Sequence, residues 1–353
     1  MRCHQRDLAQ SDSSVVGPLC YARQSDDSNA ETLAQSPLHL KETLFIVNPA
    51  SARGATLRAW ADARREVEAA GVSFDEHVTT RAGEATEVAR TALSLGVTRI
   101  VAVGGDGTLS EVVNGYFDDD WRAINSAAAI GLLPSGTGSD FRRLMGLTNR
   151  GDWIRTLLSP ETRLIDVARA DFQDLDGASA SRLFINVASF GLGGDVSALV
   201  NRWRDTLPRW IGGSARFAAA AIAALGRYKN VAVSLRLDGR EIKINSNLII
   251  AANGRFAGGG MMLAPHAELD DGLLDVIVTD NAARLDVVRE LRRIRRGAHL
   301  KNPKVTEIRA REVSINSDVP MAIDLDGEMV GFTPAKLEIV ASAIRFINHD
   351  PEP

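Results

Sequence analysis

The sequence has few of the features that mark a disulfide-rich, secreted or membrane-spanning protein. Only two of its 353 residues are cysteines, Cys3 and Cys20, which excludes a disulfide framework and a cysteine-rich metal site. No apolar run approaches the ~20 residues that a membrane-spanning helix needs. The first forty residues are rich in Ser, Asp and Gln and lack the apolar core of a secretory signal. These absences favour a protein of the reducing cytoplasm.

An excess of positive charge and two kinase signatures are lacking as well. The formal net charge is −4, so the chain carries no electrostatic footprint for nucleic acid. No Gly-Lys pair occurs, so the phosphate-binding lysine of a P-loop is missing. The His-Arg-Asp and Asp-Phe-Gly signatures of protein kinases are also missing. A nucleic-acid partner, a P-loop and a protein-kinase fold are therefore not expected.

Glycine-rich turns follow three apolar runs in the first half of the chain. Such runs are typical of buried parallel strands, and glycines allow the backbone to turn sharply with its N–H groups exposed. The carboxyl ends of parallel strands meet at one edge of a sheet, where a helix N-terminus can bind phosphate. The sequence therefore predicts a nucleotide site at that edge. The runs and their turns are Leu44–Val47 with Asn48–Gly54, Val101–Val103 with Gly104–Thr108, and Ala128–Leu133 with Pro134–Phe141.

Asp106 is the only acid in the second of these turns. Carboxylate oxygens are the ligands that Mg²⁺ prefers, so Asp106 is predicted to organise the Mg²⁺ that accompanies a nucleotide, directly or through water. An aspartate at the start of a helix also caps the free N–H groups there. The two roles are compatible, and both stay open.

Hydrophobic periodicity divides the chain into an α/β part and an all-β part. Strands alternate with helices between residues 41 and 168, which is typical of a parallel sheet covered on both faces. Strand-like runs predominate over residues 169–341, which predicts an antiparallel β-sandwich, and residues 1–40 are predicted to be a disordered extension. We therefore predict two domains with the active site in the cleft between them. The predicted strands are 43–47, 72–78, 99–103, 128–133, 183–189, 231–237, 242–251, 274–279, 312–316, 321–325 and 336–340, and the predicted helices are 57–70, 84–95, 108–117, a short one near residue 140, and insertions at about 196–226 and 284–296.

Six motifs in this order resemble the diacylglycerol kinase catalytic-domain family, which includes bacterial lipid kinases and sphingosine kinases. The resemblance covers about residues 41–349. It implies an NAD-kinase-like nucleotide domain over residues 41–168, which a last strand at about 342–349 completes. It also implies a lipid-acceptor domain over residues 169–341. One departure is Ser139, where the family usually has asparagine; because serine can still donate and accept a hydrogen bond, we expect altered nucleotide affinity rather than loss of activity. The motifs are Asn48–Gly54, Gly104–Thr108, Pro134–Phe141, Gly258–Met261 with Pro265, Asp270–Val276 and Asp326–Glu328.

The resemblance implies a site made of three groups of residues. Glu328 corresponds to the family's catalytic base, with Asp106 beside it as the second catalytic residue; without the family, Glu328 would be interpreted as a solvated glutamate of a hairpin. A structural Mg²⁺ site would use Glu268, Asp271 and the carbonyl of Leu273, for which an ordinary acidic turn is the alternative. The residues implied to contact ATP are Asn48, Thr79, Gly104, Gly105, Asp106, Gly107, Thr108, Leu109, Ser110, Gly136 and Thr137.

Two further groups of residues could contact lipid. A basic run stands out in this acidic chain and could place the protein on an anionic membrane surface, although a solvated helix face paired with Glu290 explains it equally well. Four apolar residues flank an alanine-rich helix and could line an acyl-chain groove or simply pack in the core. The basic residues are Arg289, Arg292, Arg293, Arg295, Arg296, Lys301 and Lys304, and the apolar ones are Trp203, Leu207, Trp210 and Ile211.

Taken together, the residues and the resemblance predict an ATP-dependent lipid kinase. Glu328 would deprotonate a lipid hydroxyl, which would take the γ-phosphate of Mg·ATP. Diacylglycerol, giving phosphatidic acid, is the leading acceptor. A cytoplasmic, peripherally membrane-associated enzyme is expected, and a homodimer stays open. The alternatives are a soluble-metabolite kinase of the NAD kinase type and a non-catalytic regulator that binds lipid or nucleotide on the same fold.

Overall fold

A computed structural model describes residues 40–135, 139–147, 150–203, 213–226 and 229–348. All structural statements below refer to these residues. The predicted disordered extension, of which residues 1–39 lie outside the described part of the chain, stays a prediction. Among the described residues, no helix combines the length and the apolar character that crossing a bilayer requires.

The first half of the described chain alternates strands with helices, as the sequence predicts. Its four strands are parallel and lie in the order β2-β1-β3-β4. Apolar residues from both faces of the sheet are buried under helices, Ile46 and Ala102 on one face and Phe45 and Val101 on the other. The elements are β1 (Thr43–Val47), α1 (Thr56–Ala69), β2 (Phe74–Val78), α2 (Glu84–Ser94), β3 (Arg99–Gly104), α3 (Asp106–Gly115), β4 (Ala129–Pro134), α4 (Asp140–Leu144) and α5 (Arg150–Leu158).

The second half is rich in antiparallel strands, which confirms the predicted change of fold class. It has a core of its own, formed by the inward residues of these strands, such as Phe190, Ile249 and Ile323. The elements are β5 (Thr162–Asp174), β6 (Ser179–Phe184), β7 (Val187–Gly191), α6 (Leu192–Arg202), α7 (Gly213–Leu225), β8 (Val231–Leu237), β9 (Arg240–Ser246), β10 (Leu248–Ala252), β11 (Phe256–Ala257), β12 (Met261–Met262), β13 (Leu274–Thr279), α8 (Arg284–Arg293), β14 (Val305–Ala310), β15 (Glu312–Ser317), β16 (Ala322–Leu325) and β17 (Glu328–Ile347).

Strand β17 joins the two halves into one sheet. It pairs antiparallel with β16, β15 and β5, and at its far end Arg345 and Phe346 pair in parallel with Ala129 and Ile130 of β4. The result is a sheet of fifteen strands in the described part of the chain. The predicted domain boundaries near residues 168 and 342 both fall inside strands, and the division into domains stays a prediction.

Two predicted strands are each split in the structure. The run 183–189 breaks between β6 and β7, because the amides of Ile185 and Asn186 donate to the carboxylate of Asp326 rather than to a neighbouring strand. The run 242–251 breaks at Asn247, where the chain changes partner: β9 pairs with β8, and β10 pairs with β7 and β13. Both breaks depend on partners far away in the sequence, which periodicity cannot detect.

Candidate active site

The ends of the four parallel strands meet at one edge of the sheet. Three backbone hydrogen bonds join them: the amide of Asn48 donates to Val103 (3.0 Å), that of Thr79 to Val47 (2.9 Å), and that of Ser135 to Gly104 (2.8 Å). The turns that the sequence predicts to form a nucleotide site therefore do lie side by side. Gly136 and Thr137, also predicted to contact ATP, lie outside the described residues.

The turn from β3 into α3 is packed closely against the turn after β1. The side-chain amide of Asn48 donates to the Thr108 hydroxyl at 3.0 Å. A Cβ atom on Gly104 would lie 2.3 Å from that same hydroxyl oxygen, so only glycine fits there. Gly105 and Gly107 have no such close neighbour, and a Cβ on Gly107 would meet open space. The open side of this turn, at the N-terminus of α3, suits the approach of a phosphate.

Leu109 and Ser110, two further predicted ATP contacts, point away from that open side. Leu109 is fully buried in the core, and its amide is used in the helix, donating to Gly105. The hydroxyl of Ser110 is buried as well. Their assignment as nucleotide contacts stays a prediction, and the structure gives their side chains a packing role.

Asp106 holds the start of α4 in place. Its carboxylate accepts hydrogen bonds from the Ser139 hydroxyl (2.5 Å) and from the amides of Asp140 (2.7 Å) and Phe141 (3.2 Å). Burial raises the pKa of Asp106 above its usual range, although these three donors favour the charged form. Asp106 thus fixes the segment after β4 against the segment after β3, and its predicted role towards Mg²⁺ stays a prediction.

Ser139 performs two tasks at this junction. Its hydroxyl donates to Asp106 and accepts from the amide of Arg142 (3.2 Å), which makes it the N-cap of α4. We expect Ser139→Ala to cost about 1–2 kcal/mol of stability and to raise the KM for ATP severalfold with little change in kcat. Steady-state kinetics and thermal unfolding check this. Ser139→Asn, the residue usual in the family, should restore both; an unchanged KM in the alanine variant would show that the junction does not position the nucleotide.

Asp140 connects the parallel-sheet half of the chain (residues 40–158) to the glycine loop Gly258–Gly260 of the antiparallel half (residues 162–348). Its carboxylate accepts from the amides of Gly259 (2.8 Å) and Gly260, and from the Arg143 guanidinium (3.2 Å). Gly258, Gly259 and Gly260 all have positive φ, which lets consecutive amides aim at one carboxylate. Burial and the nearby charge of Asp106 raise the pKa of Asp140 to about 6. Asp140 therefore fastens the two halves together at the site.

The Asp326–Glu328 hairpin lies on the other side of the site. The Asp326 carboxylate accepts three backbone hydrogen bonds, from Ile185, Asn186 and Val187, at 2.9–3.1 Å. Burial raises the pKa of Asp326 to about 6 even though these donors favour its charged form. Three convergent amides explain why an aspartate stands at this position: it fixes the direction in which the hairpin presents the next residues.

Glu328 follows immediately and remains half exposed. Its carboxylate lies 2.7 Å from the Arg182 guanidinium, on strand β6. The carboxylate is therefore accessible from solvent and has a basic partner.

A cavity of about 890 Å³ opens beside the buried carboxylates, and Glu328 is not among the residues that line it. Asp106, Asp140, Asp326 and Gly327 lie on its wall, and the rest of the wall is mostly apolar. Helices α6, α7 and α8, strands β7, β10, β12 and β13, and the residues just after β12 and α8 supply the apolar side chains. These include Leu192, Val196, Val200, Phe217, Leu248, Ile250, Met261, Leu263, Ile277, Val287, Leu291 and Ile294. Of the residues predicted to form an acyl-chain groove, Trp203 packs in the adjacent core, and Leu207, Trp210 and Ile211 lie outside the described residues.

The loop predicted to hold a structural Mg²⁺ is held by protein groups instead. One carboxylate oxygen of Asp271 accepts from the amide of Leu273 (3.0 Å), and the other contacts the guanidinium of Arg309. Glu268 is exposed, and the described residues contain no cluster of three or more His, Cys, Asp or Glu side chains that could hold a metal. As it stands the loop does not fit a cation, because a guanidinium already neutralises Asp271.

The pair with Arg309 makes the metal assignment testable. Since the loop has its own positive partner, we expect EDTA to leave the Tm of the wild type within about 2 °C of its value in Mg²⁺, and Asp271→Asn to lower the Tm equally in both. Differential scanning fluorimetry with and without Mg²⁺ measures this. A Tm that falls on chelation in the wild type but not in Asp271→Asn would support the predicted metal site.

Comparison with known proteins agrees with this geometry. Residues 42–170 match the model of the diacylglycerol kinase catalytic domain, and residues 186–348 match that of the YegS C-terminal NAD kinase beta sandwich-like domain. A protein of Chromohalobacter salexigens named "Probable lipid kinase YegS-like" is 30% identical over 291 residues, which are 82% of this chain and 88% of that protein. The chain belongs to the diacylglycerol kinase catalytic-domain family.

Other members of this family are similar over almost the same span. The diacylglycerol kinase of Bacillus subtilis (strain 168) is 28% identical over 300 residues, 84% of this chain and 93% of that one. The crystal structure of a diacylglycerol kinase from Bacillus anthracis str. Sterne covers 88% of this chain and 98% of its own, with a TM-score of 0.64 at 20% identity, which shows the shared fold. Membership makes the protein an enzyme of the lipid kinase class, and the family implies ATP as phosphoryl donor together with a divalent metal.

Three residues of the site were not identified from the sequence. Asp324 lies on the cavity wall, is bonded to the Ser189 hydroxyl (3.0 Å), and has its pKa raised to about 7 by burial. Arg182 and Arg143 are the partners of Glu328 and Asp140. None of the three stands in a recognisable motif, and each reaches the site through strand pairing or a helix turn that only the folded chain reveals.

Proposed function

We propose that the protein transfers the γ-phosphoryl group of Mg·ATP to the hydroxyl of a membrane lipid, with diacylglycerol as the leading acceptor and phosphatidic acid as the product. The observation that carries this is the 890 Å³ cavity, whose wall is mostly apolar and includes the carboxylates of Asp106, Asp140 and Asp326. Such a cavity suits a molecule with a small polar end and a long apolar remainder. The names of the relatives support the same acceptor.

The nucleotide is proposed to lie along the strand-end edge, with its phosphates at the N-terminus of α3. Asn48, Thr79 and the Gly104–Thr108 turn are the described residues that face this edge. Asp106 and Ser139 keep that turn and the start of α4 in fixed register. Since phosphoryl transfer depends mainly on positioning and charge neutralisation, this rigidity is the chief contribution of the nucleotide half.

Glu328 is proposed as the general base. It takes the proton of the lipid hydroxyl while the hydroxyl oxygen bonds to the γ-phosphorus, and the bond from that phosphorus to the bridging oxygen of ADP breaks. Three backbone amides donate to Asp326 and so fix the hairpin, and the Arg182 guanidinium, 2.7 Å from the Glu328 carboxylate, orients that carboxylate. The products are a phospholipid, ADP and a protonated glutamate, which returns its proton to solvent.

A soluble-metabolite acceptor of the dinucleotide type is disfavoured by the same cavity. A dinucleotide carries charged phosphates and hydroxyls along its length, and burying them is costly here because the described wall offers few cationic partners (Arg143, Arg295 and Lys304) among mostly apolar side chains. The cavity does not conflict with a non-catalytic regulator, which would bind the same lipid. That alternative is decided by turnover.

The deciding experiment is transfer of label from γ-³²P-ATP into mixed micelles that contain diacylglycerol, a sphingoid base, ceramide or phosphatidylglycerol, with NAD as a separate acceptor. We expect label in an organic-extractable product from diacylglycerol. Ala218→Trp fills the cavity and should abolish transfer to a long-chain acceptor, whereas Ala61→Trp, on the exposed side of α1, should not. Label only in NADP, or none despite ATP binding, would contradict the proposal.

A further inference from the structure

Helices α7 and α8 cover the cavity and present two very different sides. Their inner sides supply cavity wall: Phe217, Ala218 and Ala221 from α7, and Val287 and Leu291 with the acidic Asp286 and Glu290 from α8. Their outer sides face solvent. A cover with an apolar inner side needs a polar outer side to be stable in water, so the composition of the outer side indicates what lies against it.

The outer side of α7 has no exposed charge. Its exposed residues are Ala215, Ala219, Ile222 and Ala223, and the Ile222 side chain is 62% exposed. The one charged residue in the helix sequence, Arg216, is buried at 5% exposure. An exposed helix face without charge is unusual on a protein surface, because nothing on it favours water.

The outer side of α8 combines apolar and basic side chains. Leu285 is 67% exposed and Val288 is 44% exposed. They share a helix face with Arg289 and Arg292, because the spacing from 285 is three, four and seven residues. Arg296 extends the basic side beyond the end of the helix. Apolar residues among arginines on a helix are typical of a segment that lies in a membrane interface.

The arginines of this surface are weakly neutralised by the protein. Arg292 and Arg296 make no ion pair with the described residues, and Arg289 reaches Asp286 only at 4.0 Å. The chain as a whole has a net charge of −4, so this positive surface is local. A local positive surface attracts an anionic bilayer within a Debye length and leaves the rest of the molecule repelled, which sets an orientation.

We propose that the outer sides of α7 and α8 dock on an anionic lipid bilayer, with Ile222, Leu285 and Val288 inserted between head groups, so that the cavity cover lies in the interface. The proposal rests on the proposed function, which requires an acceptor that resides in the bilayer. The same two helices then contact the membrane on one side and the bound acceptor on the other. A lipid would enter the cavity at this cover without crossing bulk water.

Insertion can be measured directly at one residue. Replacing Cys3 and Cys20 by serine leaves no thiol, and Leu285→Cys then carries an environment-sensitive fluorophore. With vesicles of phosphatidylglycerol and phosphatidylcholine we expect a blue shift at residue 285, and none with phosphatidylcholine alone. Leu175→Cys is the matched control, since Leu175 is 62% exposed and lies in the turn after β5. Equal shifts at both residues, or none at 285, would overturn the proposal.

Charge reversal tests the basic component. Sedimentation with the same vesicles, without nucleotide, should show Arg289→Glu/Arg292→Glu/Arg296→Glu binding at least 100-fold more weakly, because each arginine removed costs about fivefold. The control Arg58→Glu/Arg236→Glu/Arg240→Glu has the same change of net charge at exposed residues far from the cover in the sequence. Binding of the α8 variant that equals the control would contradict the docking surface.

Different results would contradict the docking surface and the proposed function. The α8 variant should keep wild-type turnover of a short-chain diacylglycerol in detergent micelles and lose turnover only on vesicles. If wild type binds vesicles through residue 285 but transfers no label to any lipid, the proposed function fails and the docking surface stands. If the wild type and the α8 variant transfer label to lipid equally well on vesicles, the docking surface is wrong and the proposed function stands.

Discussion

Replacing Glu328 by glutamine is expected to lower kcat for lipid phosphorylation by about 10²–10⁴-fold, with the KM for ATP nearly unchanged. Glutamine has the shape of glutamate but cannot accept the proton of the attacking hydroxyl. The nucleotide is proposed to lie at the strand-end edge, which other residues form, so its affinity should not depend on this side chain. Radiolabel transfer in mixed micelles gives kcat, and ATP titration gives KM.

A matched control exists on the same strand. Glu338 of β17 is exposed to the same degree as Glu328, 48% against 47%, and also pairs with an arginine, Arg169 at 3.3 Å. Glu338→Gln removes an equivalent surface ion pair, worth at most about 1 kcal/mol, and should leave kcat within twofold. If Glu328→Gln behaves like Glu338→Gln, then Glu328 is a hairpin glutamate and the catalytic assignment is wrong.

The second large effect concerns pH and stability at Asp324. Burial, the chief cause, and the neighbouring charge of Asp326 raise the pKa of Asp324 from 3.8 to about 7. A carboxyl group whose pKa is higher in the folded state binds its proton more tightly there, so its contribution to stability is full below about pH 4 and declines as pH rises through 7. Asp140 and Asp326, with pKa values of about 6, act in the same direction.

Asp324→Asn removes the ionisable group and keeps a polar side chain of the same size. Between pH 5 and pH 8 we expect the free energy of unfolding of the wild type to fall by about 2–4 kcal/mol more than that of Asp324→Asn. Urea denaturation at the two pH values measures the difference. Asp119→Asn, at a carboxylate that is 92% exposed, should follow the wild type. Parallel pH profiles for wild type and Asp324→Asn would show that Asp324 is not buried as a neutral acid.

The parallel-sheet half of the chain could be predicted well because its strands and turns are marked by short, local sequence patterns. Strands β1, β3 and β4 are continuous apolar runs that lead into polar or glycine-rich turns, and a helix follows each of them along the chain. The junction of Asp106 with Ser139 joins two such turns and needs only that β3 and β4 be neighbours. The sequence does not predict that the Asp106 carboxylate accepts three hydrogen bonds from the start of α4.

The antiparallel half of the chain is harder to predict because its strand pairings join residues that are far apart in the sequence. Strand β5 was not predicted, since charged residues such as Arg163 and Asp166 interrupt its apolar pattern. The breaks at Ile185 and Asn247 are fixed by partners as far away as Asp326. Glu328 came from family resemblance, because Asp-Gly-Glu is an ordinary hairpin in isolation. Arg182, its partner, is visible only once β6 lies beside the hairpin.

Strand β17 affects how the sheet unfolds locally. Its twenty residues start at Glu328 and end beside β4, bonded along the way to β16, β15 and β5. Because β17 pairs with β4 on one side and with β5 on the other, opening of the sheet at β17 disturbs both halves. In amide hydrogen exchange the central amides of β17 should therefore be among the last to exchange, at the rate of whole-molecule unfolding. One strand thus connects the stability of the Asp326–Glu328 hairpin to that of the parallel sheet.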